Sequence, residues 1–369
     1  MWLVLLLFLV VLVLGIVENA VIKRRIESIP IRILVNGTRG KSSTTRMLVA
    51  ALNGCGIRSF GKTTGSEARF ILPFLSEEDV PRKRGIRMVR EHDLMFKKAT
   101  EYECQAIVCE CMAIREENQR IIGDRLFRPT ISVITNARVD HVDRMGDTEE
   151  DIASVLCLSI GDSSDVFTSD KVVLKTLEGR NCRVHHVDSL PEEYNRYLRR
   201  FSFPVYAENL ALVLEVCRNL GLEDQAVLEA VVKAVPDPGM TGDIEVDGHL
   251  IVNGFASNDA LSARTLLEGR NMDEVTVIYN NRSDREFRLK MFSELFGDMK
   301  VSDLVVIGEN VNKCRRYFAK VIGFEAVREG CSEYEAEIGL GRRTIVCMGN
   351  IKGAGQAFLQ YCADRNTEA

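Results

Sequence analysis

Apolar positions fall into two regimes along the chain. Residues 2–17 form one unbroken hydrophobic run with Gly15 as its only small break, and Ala20, Val21 and Ile22 extend it past Glu18 and Asn19. As a helix rising ~1.5 Å per residue, the unbroken part reaches about 24 Å, and the extension brings it close to the ~30 Å hydrocarbon core of a bilayer. Lys23, Arg24 and Arg25 follow at once. Cationic residues beside a span mark its cytoplasmic side, so the pattern predicts a single-pass cell-membrane helix with the body of the chain in the cytoplasm. A cleaved signal peptide would need a basic start and a small-x-small cleavage site, and neither is evident. No later stretch repeats such a run.

From Pro30 onward the apolar runs are short and alternate with helical or loop sequence. Residues 31–35, 106–109, 130–135 and 165–168 read as buried strands. Residues 36–43 read as a loop, and residues 44–52 as a helix stopped by Asn53 and Gly54. Residues 77–103 are dense in charge, with apolar positions at helical spacing. Residues 209–220 form a clean helical pattern closed by Gly221. The Pro236-Asp237-Pro238-Gly239 segment is the strongest boundary signal. Beyond it, runs at 244–246, 250–253, 275–279, 304–307 and 344–347 again alternate with helical stretches. The expected architecture is α/β: an anchor with its basic flank over 1–25, a central domain over 26–238 with a mainly parallel sheet, and a smaller Rossmann-like α/β domain over 239–369.

Composition narrows the function classes. Hydrophobic residues make up 46% and charged residues 27% of the chain, which is globular rather than disordered. The net charge of −5 argues against a nucleic-acid binder, which is usually basic. The 11 cysteines are odd in number and include no CxxC pair, so neither a disulfide framework nor a zinc knuckle is expected. Cys104, Cys109 and Cys111 read as small core residues.

The strongest chemical signal is Gly37-Thr38-Arg39-Gly40-Lys41-Ser42-Ser43, placed between a strand and a helix. In that context backbone N–H groups and a helix N-terminus cradle phosphates. Lys41 is suited to neutralise the β- and γ-phosphates, and the Ser42 hydroxyl to ligate Mg²⁺. The strict GxxxxGK[ST] pattern fails, because Val35 stands at its first glycine. Glu110 ends the strand 106–109, where α/β sheets place ligand-binding groups. A third feature, Thr135-Asn136 followed by Asp140-His141-Val142-Asp143, comes directly after an apolar strand; His141 is a candidate metal ligand oriented by Asp140.

Taken together, Gly-Thr-x-Gly-Lys-Ser, a strand-end Glu and Asn-x₃-Asp-His-x-Asp resemble the Mur ligase superfamily. Its phosphate loop also lacks the first glycine. The resemblance covers roughly residues 30 to 355. The membrane run followed directly by the ligase core, with no UDP-sugar domain before Ile31, is most similar to poly-γ-glutamate synthase ligase subunits. The resemblance implies ATP and Mg²⁺ as cofactors. It implies Asn209 as an adenine contact, the 236–239 segment as the hinge to the C-terminal domain, and the Asn280-Asn281-Arg282-Ser283-Asp284-Arg285 loop as facing the active site. Arg285 is then a nucleotide contact, and Thr63, Thr64, Asn136, Asp140 and Arg282 are candidates on the substrate side. Lys41, Glu110 and His141 carry the catalytic roles, with Ser42, Glu110 and His141 at the metal.

Three positions depart from the family pattern. Leu156 stands where a lysine, often carbamylated, is common; Met240 replaces the arginine of Pro-Gly-Arg; and Gly254-Phe255-Ala256-Ser257-Asn258 replaces an Asp-Tyr-Ala-His-like motif. The implied activity is ATP-dependent polymerisation of glutamate into poly-γ-glutamate through an acyl phosphate at the cytoplasmic membrane face. Implied partners are glutamate, the growing chain, the membrane, and multi-span and extracellularly exposed export subunits; the sequence leaves oligomeric state open, with a homo-oligomer as one option. Arg82, Lys83, Arg84, Arg87 and Arg90 are suited either to guide a polyanion or to form a solvated helix face beside Glu77, Glu78, Asp79 and Glu91. Alternative functions are a membrane-tethered P-loop ATPase or kinase energising transport, a soluble-type Mur or folylpolyglutamate ligase, and a nucleotide-binding scaffold.

Overall fold

In the computed structural model the N-terminal apolar run is a single helix, α1 (Trp2–Glu27). The structure describes residues 2–368 except 66–67, 82–86, 140–141, 163, 204, 238–242, 256, 258–259, 284–285 and 331–341. Helix α1 is long and apolar enough to cross a membrane, and its side chains from Trp2 to Val17 are exposed. Its last turn belongs to the body. Ile26 and the following Ile29 are buried in a core cluster with Leu34, Phe60, Met95 and Phe127. Arg25 Nη1 lies 2.5 Å from Asp93 Oδ1, and Arg128 Nη1 lies 2.7 Å from Glu27 Oε1. The apolar run enters the body as continuous helix, with Ile22 before the basic triplet and Ile26 after it on one helical stripe that packs on the core.

The chain divides into two compact units, residues 1–201 with 205–235 and residues 236–369 with 202–204. Among the described residues, the first unit holds an eight-stranded sheet. Its strands are β1 (Ile31–Asn36), β2 (Ser59–Thr63), β3 (Arg69–Ile71), β4 (Glu77–Asp79), β5 (Ala106–Glu110), β6 (Ile131–Ile134), β7 (Asp165–Thr168) and β8 (Arg183–His186), in the order β4-β3-β2-β5-β1-β6-β7-β8. Only the β2–β3 and β3–β4 pairs are antiparallel. Central β1 pairs in parallel with both neighbours, Val35 opposite Glu110 and Asn36 opposite Ile134. Ile33, Leu34 and Val35 are fully buried, as expected of a strand covered on both faces. This arrangement delivers the phosphate loop, Glu110 and Thr135-Asn136 to adjacent strand ends.

The second unit has a six-stranded sheet among its described residues. Its strands β9 (Ile244–Val246), β10 (His249–Asn253), β11 (Val275–Asn281), β12 (Leu304–Gly308), β13 (Val327–Glu329) and β14 (Thr344–Gly349) run in the order β13-β12-β11-β14-β10-β9. Only β9 is antiparallel to its neighbour. Buried Tyr279 packs against the rings of Phe292, Phe296 and Phe318 at centroid distances of 5.1, 6.2 and 5.0 Å, filling one face.

Several local readings shift. The helix after the phosphate loop, α2, spans Lys41–Gly54, so Lys41, Ser42 and Ser43 form its first turn rather than part of the loop. Residues 77–79 are strand, and the helix of that region, α3, starts at Arg87 (Arg87–Glu101). Arg82, Lys83 and Arg84 lie outside the described residues. Strand β2 escapes a hydropathy search because its sequence, Ser-Phe-Gly-Lys-Thr, carries a fully buried lysine and a glycine. A Cβ on Gly61 would come within 2.6 Å of Val49 on α2, so the glycine permits close helix–strand packing.

One buried group links the first unit's stability to pH. His92 on α3 is 2% exposed, and its Nδ1 lies 2.7 Å from the Met88 carbonyl. A carbonyl only accepts, so Nδ1 carries the proton of a neutral ring. Burial, helped by the nearby Lys62 charge, depresses its pKa to about 4 from 6.5. The unfolded chain then binds the extra proton first as pH falls, so the stability from keeping His92 neutral is complete above 6.5 and is lost towards 4. Urea unfolding at pH 7 and pH 5 is expected to give a smaller stability difference for His92→Asn than for wild type. An equal difference would remove His92 from the acid response.

Candidate active site

The site begins with the backbone of the loop. Gly37 and Gly40 have φ of +127° and +87°, a region that L side chains rarely adopt. A Cβ on Gly37 would sit 2.1 Å from Thr135 Oγ1, and one on Gly40 would sit 2.7 Å from the Asn209 amide. Both glycines are therefore required by contact as well as by dihedral. The second contact brings Asn209, in helix α4 (Ala207–Asn219), against the loop.

Side chains then brace the turn. Asn36 Oδ1 accepts from Gly37 N at 2.9 Å. Its Nδ2 donates to Gln119 Oε1 at 2.8 Å, Ser159 Oγ at 2.9 Å and the Leu156 carbonyl at 3.3 Å. Asn136 uses its whole amide on the loop: Oδ1 accepts from Thr38 Oγ1 at 2.6 Å and Arg39 N at 3.1 Å, and Nδ2 donates to Arg39 O at 3.0 Å. Thr135 Oγ1 donates to the same carbonyl at 2.6 Å. Lys41 Nζ reaches back over the turn to Gly37 O at 2.7 Å and Thr38 O at 3.3 Å, which places its charge at the loop's mouth. The N-terminus of α2 and the loop amides before it, backed by this network, have the arrangement of a phosphate-binding loop.

Glu110 joins three segments. Its Oε2 accepts from Ser42 Oγ at 2.8 Å and from Thr64 N at 2.7 Å. Its residue is 3% exposed, and among the described residues no cationic side chain pairs with it. A buried carboxylate beside a hydroxyl, with lone pairs to spare, is a donor set suited to a hard divalent cation, so the residues fit Mg²⁺. Thr63 is fully buried on the same strand end, and its hydroxyl has no hydrogen-bond partner among the described residues.

The structure thus gathers Gly37, Thr38, Arg39, Gly40, Lys41, Ser42, Ser43, Thr63, Thr64, Glu110, Asn136 and Asn209 around one end of one sheet. His141 and Asp140 lie outside the described residues, as do Arg285 and Met240. Among the described residues there is no cluster of three or more His, Cys, Asp or Glu side chains placed to hold a metal. Leu156 does not stand in for the family lysine: its side chain is packed with Ile134, Met145 and Ile152 in a core cluster. Asn36, Gln119 and Ser159 escaped the sequence reading. An Asn before a glycine was the available signal; the other two were visible only through the fold.

In the second unit, Arg282 follows the end of β11. There Asn280 Nδ2 donates to Lys352 O at 2.9 Å, Asn281 Nδ2 to Glu309 O at 2.7 Å, and Arg288 Nη1 to Asn350 Oδ1 at 2.5 Å. The Glu309 carboxyl is held below its ordinary range chiefly by hydrogen bonds from Ser283, with the Arg282 charge adding to it. The motif therefore sits across the carboxyl ends of β11, β12 and β14, the usual ligand side of such a sheet.

The comparisons with known proteins define the class, an ATP-dependent amide ligase of the Mur type. Residues 35–188 match the Mur ligase middle domain, and residues 243–365 match the poly-γ-glutamate synthase CapB C-terminal domain. The chain is 31% identical to PGA synthase CapB of Bacillus subtilis (strain 168), over 98% of this chain and 97% of that relative. It is also 31% identical to the capsule biosynthesis protein CapB of Bacillus anthracis, over 83% and 69% of the two chains. The fold is similar to Mycobacterium tuberculosis folylpolyglutamate synthase solved with ADP and AMPPCP, with a TM-score of 0.69 and 15% identity over 92% of this chain and 95% of that one. It is likewise similar to E. coli FolC solved with ADP, with a TM-score of 0.64 and 13% identity over 93% of each chain. The chain belongs to the CapB family of poly-γ-glutamate synthases, within the Mur ligase superfamily. That membership assigns it to poly-γ-glutamate synthesis by a Mur-ligase-like, ATP-dependent reaction.

Asn136→Ala is expected to loosen the turn by orphaning Arg39 N. Loss of about 1–1.5 kcal/mol of hydrogen bonding would weaken ATP binding roughly tenfold. Calorimetric titration checks this, and unchanged affinity would show that the loop holds without Asn136.

Proposed function

We propose that the chain joins glutamate units through an acyl phosphate, at the cytoplasmic face of the membrane to which α1 anchors it. The observation that carries this reading is the shared Glu110 Oε2, bound by Ser42 Oγ and Thr64 N at the mouth of the phosphate loop. A carboxylate is a poor electrophile, so an amide ligase must activate it. In the proposed reaction a glutamate carboxylate oxygen attacks the γ-phosphorus of ATP, and the bond to the β-phosphate oxygen breaks to release ADP. The amine nitrogen of another glutamate then attacks the acyl carbon, phosphate leaves with the C–O electron pair, and the nitrogen gives up a proton.

Each residue has a physical task. Lys41 moves from the loop carbonyls to the γ-phosphoryl group and stabilises charge there. The amides at the start of α2 hold the β-phosphate, and Asn209 contacts the base. Ser42 and Glu110 would hold one Mg²⁺, with Glu110 and His141 at a second; the ions supply charge screening between the triphosphate and the incoming carboxylate. The family resemblance offers Arg282 and Arg285 for the anionic groups of nucleotide or substrate. In this reading the product is a polyanion that leaves the cytoplasm, and anchoring through α1 would serve its transfer to multi-span and extracellularly exposed export subunits.

Incubation of the detergent-solubilised chain, with its membrane partners, in ATP, Mg²⁺, glutamate and hydroxylamine tests the reading. Glutamate-dependent hydroxamate and ADP are expected; phosphate release indifferent to glutamate would instead mark an ATPase. Lys41→Ala is expected to lower turnover by at least ~100-fold with the fold intact, the usual cost of losing a donor to developing charge. Glu110→Gln is expected to raise the half-saturating Mg²⁺ concentration about tenfold or more. An unchanged magnesium titration would take Glu110 out of the site.

A further inference from the structure

Successive residues of a strand face opposite sides of a sheet, so Cys109 lies on the side away from Glu110 and Ser42. Lys62 is opposite Cys109 in the parallel β2–β5 register and shares that side. There Lys62 is fully buried, with Nζ 2.9 Å from Oε2 of Glu91 on α3, which is 3% exposed. The next residue, His92, brings Nε2 to 3.9 Å from Cys109 Sγ. This cluster takes no part in the reaction above.

Its chemistry is unusual for a filler. Taking two charges out of water costs about as much as their attraction returns, and apolar side chains of similar volume often stabilise as well or better. What an ion pair adds here is a buried attraction between the strand end and α3. Lys62 is two residues from Thr64, whose N–H is one of the two donors holding Glu110 Oε2. Strand β2 ends there: its register with β5 stops at Lys62 opposite Cys109, and with β3 at Thr63 opposite Arg69. The carboxylate–amide contact therefore depends on where the last residue of the strand is held, and the Lys62–Glu91 pair ties that end to α3.

We propose that Lys62 and Glu91 form a positioning pair that sets Thr64 N against Glu110, and so sets the affinity of the Ser42–Glu110 site for its divalent cation. This rests on the reading of Ser42 and Glu110 as cation ligands. The test is ADP binding by the full chain, followed calorimetrically in EDTA and in Mg²⁺, for wild type, Glu91→Asp, Lys62→Met with Glu91→Leu, and Glu110→Gln. Glu91→Asp keeps the charge but shortens the arm; the double variant removes both charges without leaving one unpaired. Both are expected to fold, to bind ADP in EDTA as wild type does, and to lose about tenfold of the Mg²⁺-dependent gain. Folded pair variants with the full magnesium gain would overturn the proposal, provided that Glu110→Gln loses it. If Glu110→Gln keeps the gain, the cation reading itself fails. Failure of both pair variants to fold would make the pair a stability element and also overturn the proposal.

Discussion

A carboxylate withdrawn from water loses solvation on the order of several kcal/mol, and at Glu110 the described compensation is two hydrogen bonds onto one oxygen. That requirement brings together the first turn of α2, the end of β2 and the end of β5. The phosphate loop, the Ser42–Glu110 contact and the Thr63–Thr64 edge are thus geometrically dependent on one another. A displaced strand end would leave the carboxylate short of a donor as well as distort the site.

Around this contact the fold solves a second problem, which is holding a tight loop open. The turn of residues 37–40 cannot be stabilised by packing, since both glycines lie where any side chain would collide with Thr135 or Asn209. Polar side chains hold it instead. Asn36 is buried at 1% exposure and tied to Gln119 and Ser159, and Asn136 is spent on both sides of Arg39. A fully satisfied buried network specifies one arrangement more strictly than an apolar core would. Preorganised amides are what a phosphate-binding loop needs, because the cost of ordering is met in folding rather than in binding.

Much of this was legible in the sequence, for physical reasons. Parallel strands buried on both faces are continuous apolar runs, so β1, β5, β6 and β7 stood out. The glycines, Lys41 and Ser42 followed a strand, which is where phosphate loops occur. Glu110 alone was weak, since a Glu ending a strand is more often simply solvated; it stood out through its conjunction with the phosphate loop at strand ends where α/β sheets bind ligands. Strand β2 was hidden because the residue that the structure buries is a lysine, and its partner Glu91 is far off in sequence. The role of Asn136 was hidden for a similar reason: its motif pointed to substrate, but its hydrogen bonds go to a turn nearly a hundred residues away. The continuation of α1 into the core was obscured by the basic triplet, which in the sequence reads as a membrane boundary but does not end the helix.

The central claim is that the cation-bearing nucleotide held at Ser42 and Glu110 gives its terminal phosphoryl group to an amino-acid carboxylate. The most direct measurement is isotope transfer. Glutamate labelled with ¹⁸O in its carboxylates is supplied with unlabelled ATP and water, and the released phosphate is analysed by mass spectrometry. The account predicts one ¹⁸O in phosphate for each amide formed. Unlabelled phosphate accompanying amide formation would contradict it.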